Sequence, residues 1–236
     1  MKTFTIILLI VIILIIYFIY QYIQSSRTLT NIMDAKNEFT ILAKDLVSTK
    51  TSTTNSYSIW MYIDDWTYRN GEKKIVFLRG KLDTNNDPID PCPSVHLGEY
   101  DNDLYVQMTY NDSITSSVKI HHCSVSNIPI QKWVNVTTVV SGRTVDIYLD
   151  GKLVNTCLLP GSVHIDNTTD AYITPAGGFS GYTSKFQYYD YALTSKEVWD
   201  VYTSGYGGSS YITSLLNTKV NISISNNGVV ESAYTI

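Results

Sequence analysis

The chain has 236 residues, enough for one sizeable domain and too few for two of average size. Its 17 Lys and Arg stand against 21 Asp and Glu, a net charge of −4, so it lacks the basic surface that nucleic acid demands and no nucleic-acid partner is expected. Nineteen Tyr, six Phe and four Trp supply surface to bury and exclude wholesale disorder, while three cysteines are too few for a disulfide-built mini-fold.

The first element is an apolar run. Ile6 to Ile16 contains only Ile, Leu and Val, and Tyr17, Phe18, Ile19 and Tyr20 extend it. As a helix, Phe4–Ile23 would span about 30 Å, the thickness of a bilayer core. Tyr17, Tyr20 and Tyr22 fit an interfacial aromatic belt. The run is longer than the apolar region of a cleaved signal peptide and lacks its small-residue end, so residues 1–24 are expected to stay as a membrane anchor. Lys2 on one side and Arg27 and Lys36 on the other leave the positive-inside bias nearly silent. Asn-x-Ser/Thr triplets at Asn111, Asn135, Asn167 and Asn221, with a polar Tyr-rich body, favour a type II orientation with the large domain outside. Asn167, in the loop-like run Asp166–Asp170, and Asn111 are the candidate glycosylation sites.

Residues 25–56 read as a connector in which Phe39, Ile41 and Leu42 could start a strand or a turn of helix. From Tyr57 strand signals dominate: 57–63, 74–78, 95–97, 104–110 and 118–121, separated by turn-rich segments. Within Trp133–Leu158, turns at Ser141-Gly142 and Asp150-Gly151 define a three-stranded meander. These turns place Val134 opposite Leu149, Val136 opposite Ile147, Ile147 opposite Val154 and Val145 opposite Thr156, giving one apolar face. The other face carries Asn135 opposite Tyr148, then Asp146 opposite Asn155, and is expected to be wet.

Gly181–Tyr189 gives a further strand. Thr194 and Glu197 then form a capping box, with Leu193 and Val198 as its hydrophobic staple, and Gly205 is a plausible stop for the short helix. Val220, Ile222 and Ile224 alternate before an Asn226-Asn227-Gly228 turn, which predicts a terminal hairpin. Many short strands and one small helix give an all-β class: a two-sheet antiparallel jelly-roll sandwich over residues 57–236, preceded by one transmembrane helix.

Trp133-Val-Asn-Val, Val145-Asp-Ile-Tyr-Leu-Asp-Gly-Lys-Leu-Val, Gly177-Gly-Phe-Ser-Gly-Tyr, Phe186-Gln-Tyr-Tyr and Tyr191-Ala-Leu-Thr-Ser-Lys-Glu-Val follow one another in an order and spacing that resembles the concanavalin A-like, laminin-G-like jelly-roll superfamily. The resemblance covers roughly residues 57–206. With Pro91-Cys-Pro-Ser-Val, Ile128-Pro-Ile-Gln-Lys-Trp and Gly205-Tyr-Gly-Gly-Ser, the chain is further similar to membrane-anchored members encoded by large DNA viruses of protists and algae. That similarity implies a virion or viral-membrane protein.

The superfamily includes glycoside hydrolases, whose active strand carries carboxylates at alternate positions. Glu99-Tyr-Asp-Asn-Asp103 is the nearest match here, but it ends in Asp and reads as a solvated turn, so no enzyme is expected. Gly177–Gly181 is not a nucleophile elbow. His121 and His122 beside Cys123 would point to opposite faces of a strand and do not make a metal site. Laminin-G-like domains often hold calcium, and Asp83, Asn85, Asp87 and Asp90 would be its hard-oxygen ligands here, although Asn and Asp also favour turns for their own sake. No other cofactor is implied.

The three cysteines allow three pairings. The meander register puts Cys157 on the face of Thr144 and Val139, away from the apolar side; Cys92–Cys157 is the expected bridge and Cys123–Cys157 the next.

The expected function is a non-catalytic, membrane-anchored, lectin-like domain binding a glycan or glycoprotein, with Asn135, Asp146, Tyr148 and Asn155 as the ligand site. The alternative is a structural virion component joining an internal membrane to capsid proteins without a sugar site.

Overall fold

The computed structural model describes residues 2–25, 28–46, 53–112, 117–207, 221–226 and 229–235, with side chains over 8–19, 28–46, 53–112 and 117–207. Helix α1 covers Lys2–Ser25, and the described side chains Leu8 to Ile19 are all exposed. Among the described residues no helix is long and apolar enough to cross a membrane.

The strands are β1 (Met33–Asp34), β2 (Phe39–Ile41), β3 (Thr54–Asp65), β4 (Lys74–Arg79), β5 (Lys81–Leu82), β6 (Pro88–Ile89), β7 (Ser94–Leu97), β8 (Leu104–Asn111), β9 (Val118–Val125), β10 (Trp133–Ser141), β11 (Thr144–Leu149), β12 (Lys152–Leu158), β13 (Ser162–Val163), β14 (Ala171–Ile173) and β15 (Ser180–Tyr189), followed by helix α2 (Ser195–Thr203). Apart from β5 and β6, which pair with each other as a separate hairpin, they form two antiparallel sheets. Sheet A runs β1-β15-β3-β10-β11-β12; sheet B runs β13-β8-β7-β4-β14-β2, with β9 also paired to β8. Alternation along the strands turns Tyr57, Ile59, Met61, Val136, Ile147 and Phe186 of sheet A against Phe77, Val95, Val106 and Met108 of sheet B, and these side chains are buried between the layers. The expected two-sheet sandwich is the observed architecture.

The sandwich starts earlier than the sequence pattern suggested. Thr28 bridges to Gln187, β1 pairs with β15 and β2 pairs with β14, so the expected connector adds an edge strand to each sheet. Ala35, Ile41 and Leu46 are buried in the core. Strands of two and three residues carry too little alternation to be recognised. At the other end the chain divides, with Met1–Tyr206 in one compact unit and Gly207–Ile236 in a second. The second unit holds the expected hairpin, β16 (Asn221–Asn226) with β17 (Val229–Thr235). Its expected turn residues Asn227 and Gly228 lie outside the described residues.

The meander forms, with two changes of register. β10 and β11 pair Val136 with Leu149 and Thr138 with Ile147, because the two-residue loop is Gly142-Arg143 and not Ser141-Gly142. A slip of two residues leaves every side chain on its expected face. The Asp150-Gly151 turn stands where expected, with both residues at positive φ (+48° and +74°). A β-bulge at Ile147/Tyr148 then shifts β12 by one, pairing Ile147 with Asn155, Asp146 with Thr156 and Val145 with Cys157. A one-residue shift reverses faces. Cys157 therefore lies on the side of buried Val145, towards sheet B.

That reversal corrects the expected disulfide. Cys157 is bridged to Cys123 of β9, and Cys92 is free and buried. The bridge joins the edge strands β12 and β9 of opposite sheets, and Asn155 Nδ2 donates to the Ser124 carbonyl across the same gap at 2.8 Å.

Helix α2 begins with the expected capping box: Glu197 N–H donates to Thr194 Oγ1 at 3.3 Å, and Thr194 N–H donates to Glu197 Oε2 at 2.8 Å. Its Val198 and Val201, with Leu193, pack on Val139, Tyr148 and Tyr189 of sheet A. Over β10 and β11 the outer face of the meander is thus covered and not wet, while Leu153, Thr156 and Leu158 of β12 stay exposed.

Candidate functional site

The four residues expected to bind a sugar are not brought together. Asn135 is fully buried, its amide donating to Ser58 Oγ at 3.0 Å and its carbonyl oxygen accepting from Thr137 Oγ1. It sits beside Asp150, while Thr137 is the residue opposite Tyr148. Tyr148 is buried under α2, with its hydroxyl 3.2 Å from Ser195 Oγ. Asp146 accepts from Thr156 Oγ1 at 2.7 Å, and the bulge sends Asn155 to the opposite face. No open aromatic ring remains at this position.

The Asp83–Asp90 segment is the loop and second strand of the β5–β6 hairpin. Asp83 Oδ1 accepts the backbone N–H groups of Asn85 and Asp87 at 2.8 and 2.7 Å, and Asp87 pairs with Lys73. Those contacts are turn chemistry. Among the described residues no three His, Cys, Asp or Glu side chains group closely enough to hold a metal ion. Of the glycosylation candidates, Asn167 lies in the expected turn, half-buried, with Oδ1 accepting from Arg79 at 3.5 Å; Asn111 is exposed at the end of β8.

The structure places a groove elsewhere, on the outer face of sheet B. Two recesses of about 220 and 250 Å³ share Lys73 and Glu99 as a common wall. One is floored by Ile75 and walled by Asn85, Asn86 and Asp87 of the hairpin, with Arg69 and Glu72 at its mouth. The other is lined by His96, Tyr100, Asp101 and Tyr105. Strand pairing explains the grouping: Ile75, His96 and Tyr105 are register partners across β4, β7 and β8, on the face opposite the core residues Val95 and Val106.

The turn 98–103 between β7 and β8 carries the exposed part of the groove, and it is firmly held. Gly98 N–H donates to the Asp103 carbonyl at 2.9 Å, and a Cβ at Gly98 would lie 1.9 Å from Asp101 Oδ1. Asp103 accepts from Ser126 Oγ and Asn127 N–H at 2.9 and 3.1 Å, and Asn102 donates to the Ile128 carbonyl. Lys74 reinforces it from below. Its buried ammonium lies 3.4 Å from the carbonyls of Glu72, Gly98 and Glu99 and 4.9 Å from the centre of the Trp66 ring. Burial, followed by the nearby Arg69 charge, lowers the Lys74 pKa.

On this base Tyr100 projects with 74% of its surface exposed. Tyr105 stacks on His96, their ring centres 5.4 Å apart at 14°. The Tyr105 hydroxyl donates to Asp101 Oδ2 at 3.5 Å, and its pKa is raised by desolvation and then by the Asp101 carboxylate. Burial, then the charges of Lys73 and His122, push the His96 pKa down to about 4, so the imidazole is neutral at pH 7. Lys73 is paired with Asp87 and Arg69 with Glu72, leaving the Glu99 and Asp101 carboxylates to set the sign of the groove. Aromatic faces beside fixed carboxylates and the amides of Asn85 and Asn86 can stack on the C–H patch of a sugar ring and bond its hydroxyls.

The family model for the concanavalin A-like lectin/glucanases superfamily, of the laminin-G type, matches residues 34–199. The chain belongs to this superfamily. Comparison with curated proteins gives no match. Among solved structures, the binding domain of botulinum neurotoxin DC in complex with rat synaptotagmin II is similar at a TM-score of 0.51 and 13% identity, over 74% of this chain and 46% of that one. The binding domain of botulinum neurotoxin serotype G gives 0.47 and 14%, with the same coverage. The chain spans less than half the length of these structures, and at such identity the likeness shows the fold alone.

Sequence reasoning treated Glu99–Asp103 only as a solvated acidic turn. The available signal was Tyr100 standing between two acids on a turn, with His96 and Tyr105 at matching positions on the flanking strands.

Proposed function

We propose that the protein is a non-catalytic, membrane-anchored lectin-like domain that holds a glycan or glycoprotein in the Tyr100 groove. The observation that carries this reading is the exposed Tyr100 ring on a hydrogen-bonded turn, beside the Glu99 and Asp101 carboxylates and the stacked pair Tyr105–His96. Superfamily membership supports a carbohydrate partner. The similar botulinum neurotoxin DC domain is a binding domain, which is in keeping with a binding role. A non-catalytic role is supported by the acids themselves: Asp103 is turned inwards to Ser126 and Asn127, so Glu99, Asp101 and Asp103 do not line one strand face as a hydrolase would need.

The proposed anchor is the N-terminal run Ile6–Ile16, which by sequence contains only Ile, Leu and Val. The type II orientation rests on the sequons, and the place in a virion membrane rests on the resemblance of the sequence motifs to viral members. A glycan array probed with the full chain in lipid nanodiscs tests the binding role: retention of neutral saccharides is expected, and an array without any retained saccharide contradicts it. Mass spectrometry of purified particles tests the location, with the chain recovered in the membrane fraction as the expected result.

A further inference from the structure

The groove has a roof. After β4 the chain turns at Gly80, forms the β5–β6 hairpin, and comes back along the outer face of sheet B, because Asp87 reaches Lys73 at the far end of β4. Asp87 lies close enough to His96 to act on its charge. On the sheet below, Ser94 and His96 of β7 and Gln107 and Thr109 of β8 share the outer face, with Ser94 and Gln107 direct cross-strand partners. All four are more than nine-tenths buried: His96 is 5% exposed, Gln107 6%, and Ser94 and Thr109 not at all. Yet Ser94 Oγ, His96 Nδ1, Gln107 Oε1 and Thr109 Oγ1 have no hydrogen-bond partner among the described residues. Buried polar atoms are nearly always paired, and each orphan weakens the fold. Four of them lie on one face of two neighbouring strands, and His96, the first of them, lines the open groove, so together they form a polar floor without its complement.

We infer that the Lys81–Ile89 hairpin is a lid, and that the sugar site continues beneath it. A neutral oligosaccharide that starts on Tyr100 extends along His96, Ser94, Gln107 and Thr109. Its hydroxyls, donors and acceptors at once, supply the partners that two hydroxyls, an amide oxygen and a neutral imidazole lack. A neutral chain is specified because Glu99 and Asp101 repel acidic sugars and His96 carries no charge. The lid is held by a clasp suited to opening, the partly exposed Lys73–Asp87 ion pair. This inference rests on the glycan reading above and adds the length and charge class of the ligand.

Calorimetric titration of the full chain in nanodiscs, with glucose, mannose and N-acetylglucosamine and with the corresponding neutral hexasaccharides, tests it. For the wild type, one hexasaccharide should bind at least about tenfold more tightly than its monosaccharide. The double variant Ser94→Ala/Thr109→Val should lose that advantage, keep the monosaccharide affinity, and melt no lower than wild type without sugar, since it removes only the two orphaned hydroxyls. Tyr100→Ala should weaken both ligands. Asp87→Asn should speed hexasaccharide association several-fold by loosening the clasp. Undiminished hexasaccharide affinity in the double variant, with Tyr100→Ala still impaired, overturns the lid inference and leaves the glycan reading standing. A clearly lower melting temperature of the sugar-free double variant also overturns it, because the floor would then be structural. Absence of binding by any of these sugars to the wild type removes the glycan reading, and the inference falls with it.

Discussion

Breaking the Cys123–Cys157 bridge should cost this domain a large share of its stability. The bridge closes a loop with a sequence separation of 34 and joins the outermost strands of the two sheets, where no ladder hydrogen bonds connect the layers. Chain-entropy arithmetic for a loop of that length gives about 4 kcal/mol at 25 °C, to be compared with roughly 5–15 kcal/mol for a typical domain. Urea denaturation of the full chain in detergent micelles, followed by tryptophan fluorescence, measures it. With a urea dependence of about 2 kcal/mol per molar, Cys157→Ala should lower the midpoint by roughly 2 M. Reductant should bring the wild type to a similar midpoint and leave the variant where it is. Cys92→Ala should remain sensitive to reductant, because Cys92 is free. The reasoning is refuted by a non-reducing peptide map that links Cys92 to Cys157, or by a reductant effect of equal size in Cys157→Ala.

The remaining predictions concern the site and the scaffold. His96 has a folded pKa near 4 against about 6.5 unfolded, so the unfolded chain binds the proton first. The neutral burial of His96 contributes fully above pH 6.5, and its contribution falls as pH drops towards 4; between pH 7 and 5 about 2 kcal/mol is lost. His96→Gln should flatten that part of a stability–pH profile, and an unchanged slope would refute the assignment. Arg79 is fully buried, donates to the Tyr57 hydroxyl at 2.9 Å and lies 5.5 Å from the centre of the Tyr188 ring. Tyr57→Phe removes a hydrogen bond to a charged group and should destabilise by about 1.5–3 kcal/mol in the same urea titration. Thr194→Ala removes the cap of α2 and should cost about 1 kcal/mol, read as a lower melting temperature.

The strand pattern and the α2 cap were legible because they depend on local signals: alternation, Asp-Gly chemistry and the Thr-x-x-Glu spacing. Features set by tertiary contact were not. The bulge at Ile147/Tyr148 has no composition of its own, yet it reverses β12, sends Cys157 to Cys123 and removes Asn155 from the face of Tyr148. The burial of Tyr148 follows from α2 folding back on sheet A, and its trace in the sequence was Val139, an apolar residue on a face otherwise read as polar. The edge strand β1 was missed, and β2 was left open between a strand and a turn of helix at Phe39–Leu42, because two or three residues show no period. The groove escaped notice because the His96–Tyr105 segment, Lys73 and Asn85–Asp87 come from separate parts of the chain and are joined only by strand register and the returning hairpin.

The central claim is that Tyr100 forms the platform of a glycan site, and one affinity comparison tests it most directly. The tightest neutral glycan from the array should be titrated into wild type, Tyr100→Ala and Tyr182→Ala, the last being an exposed tyrosine of sheet A outside the groove. Loss of at least about tenfold in affinity for Tyr100→Ala, equivalent to about 1.4 kcal/mol, with Tyr182→Ala unchanged, is the predicted result. Equal affinity in all three proteins would contradict the account.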